Sequence, residues 1–509
     1  MGKSYIVTPT EVAFSKLIAN GYKLSAKSQK ALLLLNNNYK TIRELLIEPA
    51  ISGREPGSLA YVRQSNFRFL KTKAIQGNSF ILDFDTVGTY ENIKPKDFIL
   101  HHGNLNQRTI SKDDVLFVTG GNVGEVAIAQ EDYSNTIFSS HIYKLPLNEN
   151  KLYIFAFLKN AFCKDQANFS PEGSIAGLDS FKIDYLLDIK IPFPKKNIKN
   201  SIRFIEALTQ AIIEKERKIK HRHSNVLLSI NEELQNNQKK RTFSFTYPNI
   251  SEIQSVGRLD TFRYSEKYKA YEFLVRNYTH GSFRLSDIGL KSKRGPNLAV
   301  SVIGPTFYNN DYRPGFYKLV VSSNFSEYST LERYVYMGVK KLLPQLTKGD
   351  IVFSSRGAQL GRAVVLLEDV NNTITNFDSL IIHSERKTEL YQNLFVMLFL
   401  NNLRWNKHVY SISFYGSGAN SLTQYQLEEI NFPNFPIKKQ KELANSYFNE
   451  HLSYNIGSCD IDSFADIDKE FNEKAGIYQL HESCMLLKRI LDRALDQIIR
   501  DEEVDIHFQ

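Results

Sequence analysis

The sequence predicts an α+β protein in which two similar α/β-mixed domains are separated by two long helices that form an antiparallel coiled coil. Two observations carry that reading: the chain repeats itself, and two stretches outside the repeat place an apolar residue at every seventh position. Ile110-Ser-Lys-Asp-Asp-Val-Leu-Phe117 returns as Leu346-Thr-Lys-Gly-Asp-Ile-Val-Phe353, an offset of 236 residues. Asn135-Thr-Ile137 returns as Asn372-Thr-Ile374, and Asp188-Ile-Lys-Ile-Pro192 as Glu429-Ile-Asn-Phe-Pro433, the offset drifting only to 241. A period of that size marks a duplicated domain, because solenoid units repeat every ~20–50 residues. Two similar domains in one chain imply two similar ligand sites, an architecture for binding before catalysis.

Within each copy, Val115–Val118 and Ile351–Ser354 are short apolar runs led by a Lys-Asp or Lys-Gly-Asp turn, the pattern of a strand. Ala127–Ala129 and Ala363–Leu367 follow as their partners, and Tyr153–Ala161 and Leu394–Leu403 read as short amphipathic or buried helices. A glycine-bearing loop follows each strand, Val118–Gly124 and Ser354–Gly361. Proline closes each copy at Ile191-Pro-Phe-Pro194 and Phe432-Pro-Asn-Phe-Pro436, where its missing N–H ends a strand.

Between the copies, Ile205, Ile212, Ile219 and Val226 fall seven apart, the spacing of a stripe that faces a partner helix. The intervening d positions are poor, with Leu208 followed by Lys215, Arg222 and Ser229. The last segment is more regular: Ile477, Cys484, Leu491 and Ile498 at a, with Leu480, Leu487 and Ala494 at d. Helices of ~35 residues would run about 50 Å. They pair with each other, or they are two members of a larger bundle. The expected domains are therefore 1–197, a central helix over 198–240, 241–436, and a C-terminal helical region over 437–509.

The 509 residues are 42% hydrophobic and 12% aromatic, which excludes wholesale disorder. The net charge of +9 suits a polyanionic partner. Three widely spaced cysteines build neither a disulfide framework nor a zinc cluster, in keeping with a reducing compartment, and no metal ligand set is expected. The N-terminus lacks the apolar stretch of a leader and no run is long enough for a membrane span, so a soluble, cytoplasmic protein is expected. A methyltransferase Asn-Pro-Pro-Tyr/Phe or Asp-Pro-Pro-Tyr tetrapeptide, a phosphate-binding Gly-x-x-x-x-Gly-Lys-Ser/Thr loop and a His-Glu-x-x-His site are all missing, and no catalytic residue is assigned. Gly120–Gly124 lies between strands and reads as a tight turn, and His101-His-Gly-Asn104 as a polar loop.

Leu346–Phe353, the glycine loop to Gly361 and Gly416-Ser-Gly-Ala-Asn-Ser-Leu-Thr-Gln-Tyr-Gln-Leu-Glu-Glu-Ile-Asn-Phe-Pro433 together resemble a target recognition domain. Such domains belong to the specificity subunit of type I restriction–modification systems. Gly173–Asp179 and Leu187–Pro192 hold the same places in the first copy. Arg258-Leu-Asp260 with Tyr264 resembles the stretch that opens such a domain, with Gly21–Ser25 as a fainter counterpart. The resemblance implies a non-catalytic DNA reader whose two domains each take half of a split site. It implies partners as well: two methyltransferase subunits carrying S-adenosylmethionine, and nuclease–translocase subunits using ATP and Mg²⁺. This chain itself would bind no cofactor. A specificity subunit of a type IIB-like system, an orphan DNA-binding relative, a protein scaffold, and an unrecognised free-standing methyltransferase or nuclease remain as alternatives.

Candidate DNA contacts follow from side-chain chemistry. Arg63, Gln64, Asn66, Arg68, Lys71 and Lys73 mix residues able to bond base edges in pairs with plain cations. Lys291, Lys293 and Arg294 form a basic loop before Gly295-Pro296, suited to phosphates. Arg356 and Arg362 flank the second glycine loop, where bare backbone amides could approach a phosphate, and Arg404 and Lys407 flank the only tryptophan. For each cation the bland alternative is a solvated surface charge, and for Trp405 a core aromatic. Inter-helix packing is expected from Ile205, Ile212, Ile219, Val226, Ile477, Leu480, Leu487, Leu491 and Ile498.

Overall fold

A computed structural model describes residues 5–508 apart from 8, 10, 20, 21, 23–28, 103–107, 148, 169–182, 240, 241, 260, 369, 385–388, 417 and 418. Gly173–Asp179 of the first copy lies outside the described residues, as does most of Gly21–Ser25. The chain divides into two compact units. Residues 2–218, 454–473 and 480–509 form the first, and residues 219–453 and 474–479 the second.

The first unit holds two four-stranded sheets. One orders Ile51–Ser52, Ile142–Leu145, Val115–Val118 and Val126–Ile128, all antiparallel. The other orders Thr136–Phe138, Arg68–Leu70, Tyr90–Ile93 and Tyr61–Val62, its first pair parallel. The second unit repeats both. Leu290–Arg294, Ser379–Ser384, Ile351–Ser354 and Ala363–Val365 form the antiparallel sheet. Thr373–Thr375, Tyr317–Val320, Val335–Gly338 and Phe307–Asn309 form the sheet with one parallel pair. The duplication seen in sequence is thus a duplication of strand order and register.

Val115–Val118 and Ile351–Ser354 are buried at every position, which is why they are apolar runs without alternation. The helices Lys151–Lys159 and Leu390–Trp405 are buried almost all round, not amphipathic. Lys291–Arg294, expected as a loop, belongs to the strand Leu290–Arg294. Leu290 and Ser292 point inward while Lys291 and Lys293 face solvent, a period of two carried by only five residues. His101 and His102 end a helix, Pro95–His102, in place of the expected loop.

One backbone approach is shared. Gly53 and Gly295 both donate their N–H across the sheet, to Ile142 and Ser379, and a Cβ on either would sit 2.1 Å from a carbonyl oxygen, of Phe138 and Asn376 respectively. Gly295→Ala is expected to cost about 1–3 kcal/mol through that overlap. A denaturant titration read at Trp405, which lies in the same unit, checks it, and a shift below 0.5 kcal/mol would contradict the close approach.

The central helix runs Ile198–Asn236, 39 residues, and the C-terminal helix Ile477–Ile499, 23 residues. Within the first unit they run antiparallel: Lys195 pairs with Asp501 at 2.6 Å, Phe204 packs on Phe508, and Glu216 pairs with Lys488 at 2.6 Å. Ile205, Ile212, Leu487, Leu491 and Ile498 share one apolar core with the strands and helices of the first domain. Ile219, Val226, Ile477 and Leu480 are buried too.

The polar d positions resolve in two ways. Lys215 is fully buried, with its Nζ 2.7 Å from Asp468 Oδ1 and 2.7 Å from Asn472 Oδ1, both on the helix Ile461–Lys474. The rings of Tyr454 and Phe471 flank it with centroids at 4.3 and 4.8 Å, and the Tyr454 hydroxyl donates to Asp468. Arg222 and Ser229 stay partly exposed while the buried stripe moves through Val226 to Ile230 and Leu234 in steps of four. A straight helix of 3.6 residues per turn drifts off a seven-residue repeat in this way. The coiled-coil spacing therefore lapses where the helix enters the second unit's globular core.

Candidate nucleic-acid interface

The sheet with the parallel pair positions the first group of candidates. Tyr61–Val62 and Arg68–Leu70 flank a turn that carries Arg63, Gln64, Ser65 and Asn66. Arg68 sits opposite Asn92, and its guanidinium carbon lies 4.9 Å from the Tyr90 ring centroid and 5.9 Å from that of Phe84. An open concavity of about 700 Å³ is lined by Gln64, Ser65, Asn66, Phe67, Arg68, Tyr90, Asn92 and Pro95. Its walls carry the side-chain amides and guanidinium that can bond a base edge in two places. Asn92 also donates to the Arg63 carbonyl at 3.1 Å, which ties the turn to the sheet. Lys71 pairs with Glu91 at 2.6 Å, and Lys73 donates to the Val87 carbonyl at 2.6 Å. Both are surface contacts of the kind worth under ~1 kcal/mol, which a phosphate can displace.

In the second domain the same strand positions hold Lys318, opposite Tyr336, with its ammonium 5.7 Å from the Tyr334 ring. Arg68 over Tyr90 and Lys318 over Tyr334 are therefore counterparts. Exposed Phe307, opposite Gly338, shares that face of the sheet, and Tyr312 packs edge-on against Tyr336. Sequence reading missed Lys318 and its aromatics because the offset between copies is 250 at Arg68/Lys318 but 237 at their parallel partners Thr136/Thr373. Unequal loops break the linear repeat, and only the register restores it.

The structure gives Arg362 and Arg404 an internal task. Both guanidiniums bond the carboxylate of Glu327, Arg362 also donates to the Phe325 carbonyl, and all three side chains are less than a fifth exposed. The first domain holds a counterpart: Val118 and Ser354 donate to the carbonyls of Glu125 and Arg362 respectively, and Glu125 is paired with Lys164. Gly77 stands where the second domain has Glu327, at the same 250 offset as the strand before it, and the Glu125 carboxylate fills the space a side chain there would need. Ion pairing thus anchors the glycine loop in both domains, with the sign reversed at one matched position, Glu125 in the first and Arg362 in the second.

The loop glycines follow the same logic. A Cβ at Gly361 would press on Arg404 and Val409 at 3.2 Å, and one at Gly124 on Ala167 and Lys164 at 3.3 Å. Close packing of loop on helix explains these two glycines, in place of the expected phosphate approach. Gly120–Gly124 does join two strands, as a turn.

Trp405 is half-buried against His223, ring centroids 5.0 Å apart. Lys407 beside it is exposed, in a left-handed backbone conformation. Lys291, Lys293 and Arg356 are exposed, whereas Arg294 is half-buried and donates to the Phe377 carbonyl at 3.1 Å. Arg258 of the opening motif is a latch: it donates to the carbonyls of Ser411 and Ile412 at 3.0 and 2.9 Å, ending the helix His408–Ile412, and Tyr264 holds its backbone. Thr423 and Gln426 form a capping box for the helix Gln424–Glu428, accounting for the Thr-Gln-Tyr-Gln wording.

Among the described residues no group of His, Cys, Asp and Glu could hold a metal, and no helix is long and apolar enough to cross a membrane. Comparison with curated proteins returns no match. Among solved structures the chain is similar to the type I restriction–modification S subunit from M. genitalium, at 12% identity over 91% of this chain and 97% of that one, TM-score 0.38. It is also similar to the HsdS subunit from Thermoanaerobacter tengcongensis, at 12% identity over 92% and 97%, TM-score 0.27. A third similar chain comes from a structure describing complex assembly and conformational transition of the type I R-M system, at 14% identity over 92% and 99%, TM-score 0.27. These are distant likenesses, and the repeated topology stands without them. The model of the type I restriction modification DNA specificity domain matches residues 66–222, from the polar turn before Arg68 into the central helix.

Proposed function

We propose that this chain is the sequence-specificity subunit of a type I restriction–modification system, reading a bipartite DNA site with one domain on each half. One observation carries the reading: two domains of identical strand order present different side chains at equivalent positions. The first offers Gln64, Asn66, Arg68 and Asn92 around a polar concavity; the second offers Lys318 beside Tyr334 and Tyr336, with Tyr312 packed on Tyr336. A shared scaffold with unlike reading faces suits two unlike half-sites. The family match over the first domain and the net charge of +9 support DNA as the ligand. In this reading the chain has no chemistry of its own, and methyltransferase and nuclease subunits supply S-adenosylmethionine, ATP and Mg²⁺.

The test is selection of bound duplexes from a random pool, followed by binding across a salt series. Two separated blocks of sequence preference and affinity that falls steeply with salt are expected, since neutralised phosphates release counterions. Methyl transfer or cleavage by the purified chain alone would overturn the reading in favour of an enzyme. Arg68→Ala is expected to cost about 1–3 kcal/mol and relax preference within one block only. Equal relaxation in both blocks would contradict one domain per half-site.

A further inference from the structure

Phe377 is 41% exposed. It follows Thr373–Thr375 in the second domain, and two guanidiniums stand over it, Arg294 at 4.7 Å and Arg356 at 5.4 Å from the ring centroid. Arg294 is held there by its hydrogen bond to the Phe377 carbonyl. Strand register identifies what the first domain has in these three places. Ser52 matches Arg294, because Ser52 opposes Tyr143 as Arg294 opposes Leu380. Ser140 matches Phe377, and Gly120 matches Arg356, two residues beyond the matched pairs Val118–Ile142 and Ser354–Ser379. All three counterparts are small and carry no charge, so the fold does not require the cluster.

Two like charges gathered on one ring repel, and the aromatic face repays only ~0.5–2 kcal/mol for each cation. Burial and the neighbouring Arg356 both depress the Arg294 pKa, with Asp378 opposing them. A full negative charge between the guanidiniums relieves the repulsion. A guanine edge, with neutral acceptors, would not. Resting on the DNA-reading role proposed above, we infer that Arg294, Phe377 and Arg356 form a clamp for one backbone phosphate of duplex DNA, present in the second domain only. Phe377 is the platform that holds the two forks in place, and the pairs of N–H donors suit a phosphate's oxygens. Such a grip would set the position of the second half-site without reading its bases.

The experiment uses the full chain and the selected duplex, in binding titrations at several salt concentrations. The variant Arg294→Ser with Arg356→Gly installs the first domain's own residues. It is expected to bind about tenfold more weakly on every sequence, with the slope of log K against log salt smaller by about 0.9. Phe377→Ser keeps both charges and is expected to lose about threefold with the slope unchanged. Binding within twofold of the parent and an unchanged slope in the double variant would overturn the clamp while leaving the DNA-reading role intact. A loss confined to particular base pairs would overturn it in favour of base readout. Displacement of duplex by millimolar inorganic phosphate at constant ionic strength, lost in the double variant, would show a free-anion site and overturn the duplex assignment. Failure of the parent to bind any duplex would remove the role and the clamp together.

Discussion

Lys215→Met is expected to lower the stability of the first unit by about 3–5 kcal/mol, because it leaves the Asp468 carboxylate buried without its cation. Lys215 is fully buried and Asp468 nearly so, their ion pair closing at 2.7 Å. Burial depresses the Lys215 pKa and Asp468 raises it again, as expected where a partner offsets lost hydration. The Tyr454 hydroxyl and the Asn472 amide still donate to Asp468, but neither supplies charge. The double variant Lys215→Met with Asp468→Leu removes both charges and is expected to recover most of the loss. Thermal unfolding followed by circular dichroism checks both variants. A single-variant loss under 1 kcal/mol would mean that water reaches the pair. A cation that bonds one helix at one place also sets register, as polar residues in apolar seams do elsewhere.

Acid should weaken the second unit through two buried imidazoles. His223 lies between Tyr328 and Trp405, and its pKa is pushed down from 6.5 to about 3 by burial first and the Arg404 charge second. His408 stacks on Tyr271 at 4.0 Å, and burial with Lys267 pushes it down to about 4. Below pH 6.5 the unfolded chain takes up protons that the folded chain refuses. The stabilisation is therefore complete above pH 6.5 and is lost as pH falls toward 3–4. For His223 the full window corresponds to about 4–5 kcal/mol, with about 2 kcal/mol already gone at pH 5. Trp405 is the chain's only tryptophan and touches His223, so its fluorescence reports unfolding at this place. His223→Phe keeps an aromatic ring, removes an Nε2 that has no hydrogen-bond partner among the described residues and should flatten the profile between pH 6.5 and 4. A variant profile parallel to the parent's would rule out His223 as the source.

The strands Val115–Val118 and Ile351–Ser354, the turns after them and the closing prolines were legible because each is a local pattern with a local cause. The two helices were legible for the same reason, since a seven-residue apolar spacing needs no knowledge of the partner. Lys291–Arg294 was misread because a strand of five residues with two lysines shows too few turns of its period. Lys215 looked like a fault in the stripe, for its counter-ion lies 253 residues away at Asp468. Arg68 was found as a cation in a polar turn, while its counterpart Lys318 was hidden by loops of unequal length.

From the amino-acid order alone came the duplication, the helical stripes and the surplus of positive charge, all of which are properties of near neighbours along the chain. Tertiary structure decided which cations remain available for a ligand. Arg362 and Arg404 are bound to Glu327, whereas Arg294 and Arg356 meet on Phe377 with no carboxylate bonded between them among the described residues. The physical reason is distance: the energy of a charge depends on what lies within a few ångströms of it and how much water remains there. Those neighbours come from strands and helices far apart in sequence, and only folding brings them together.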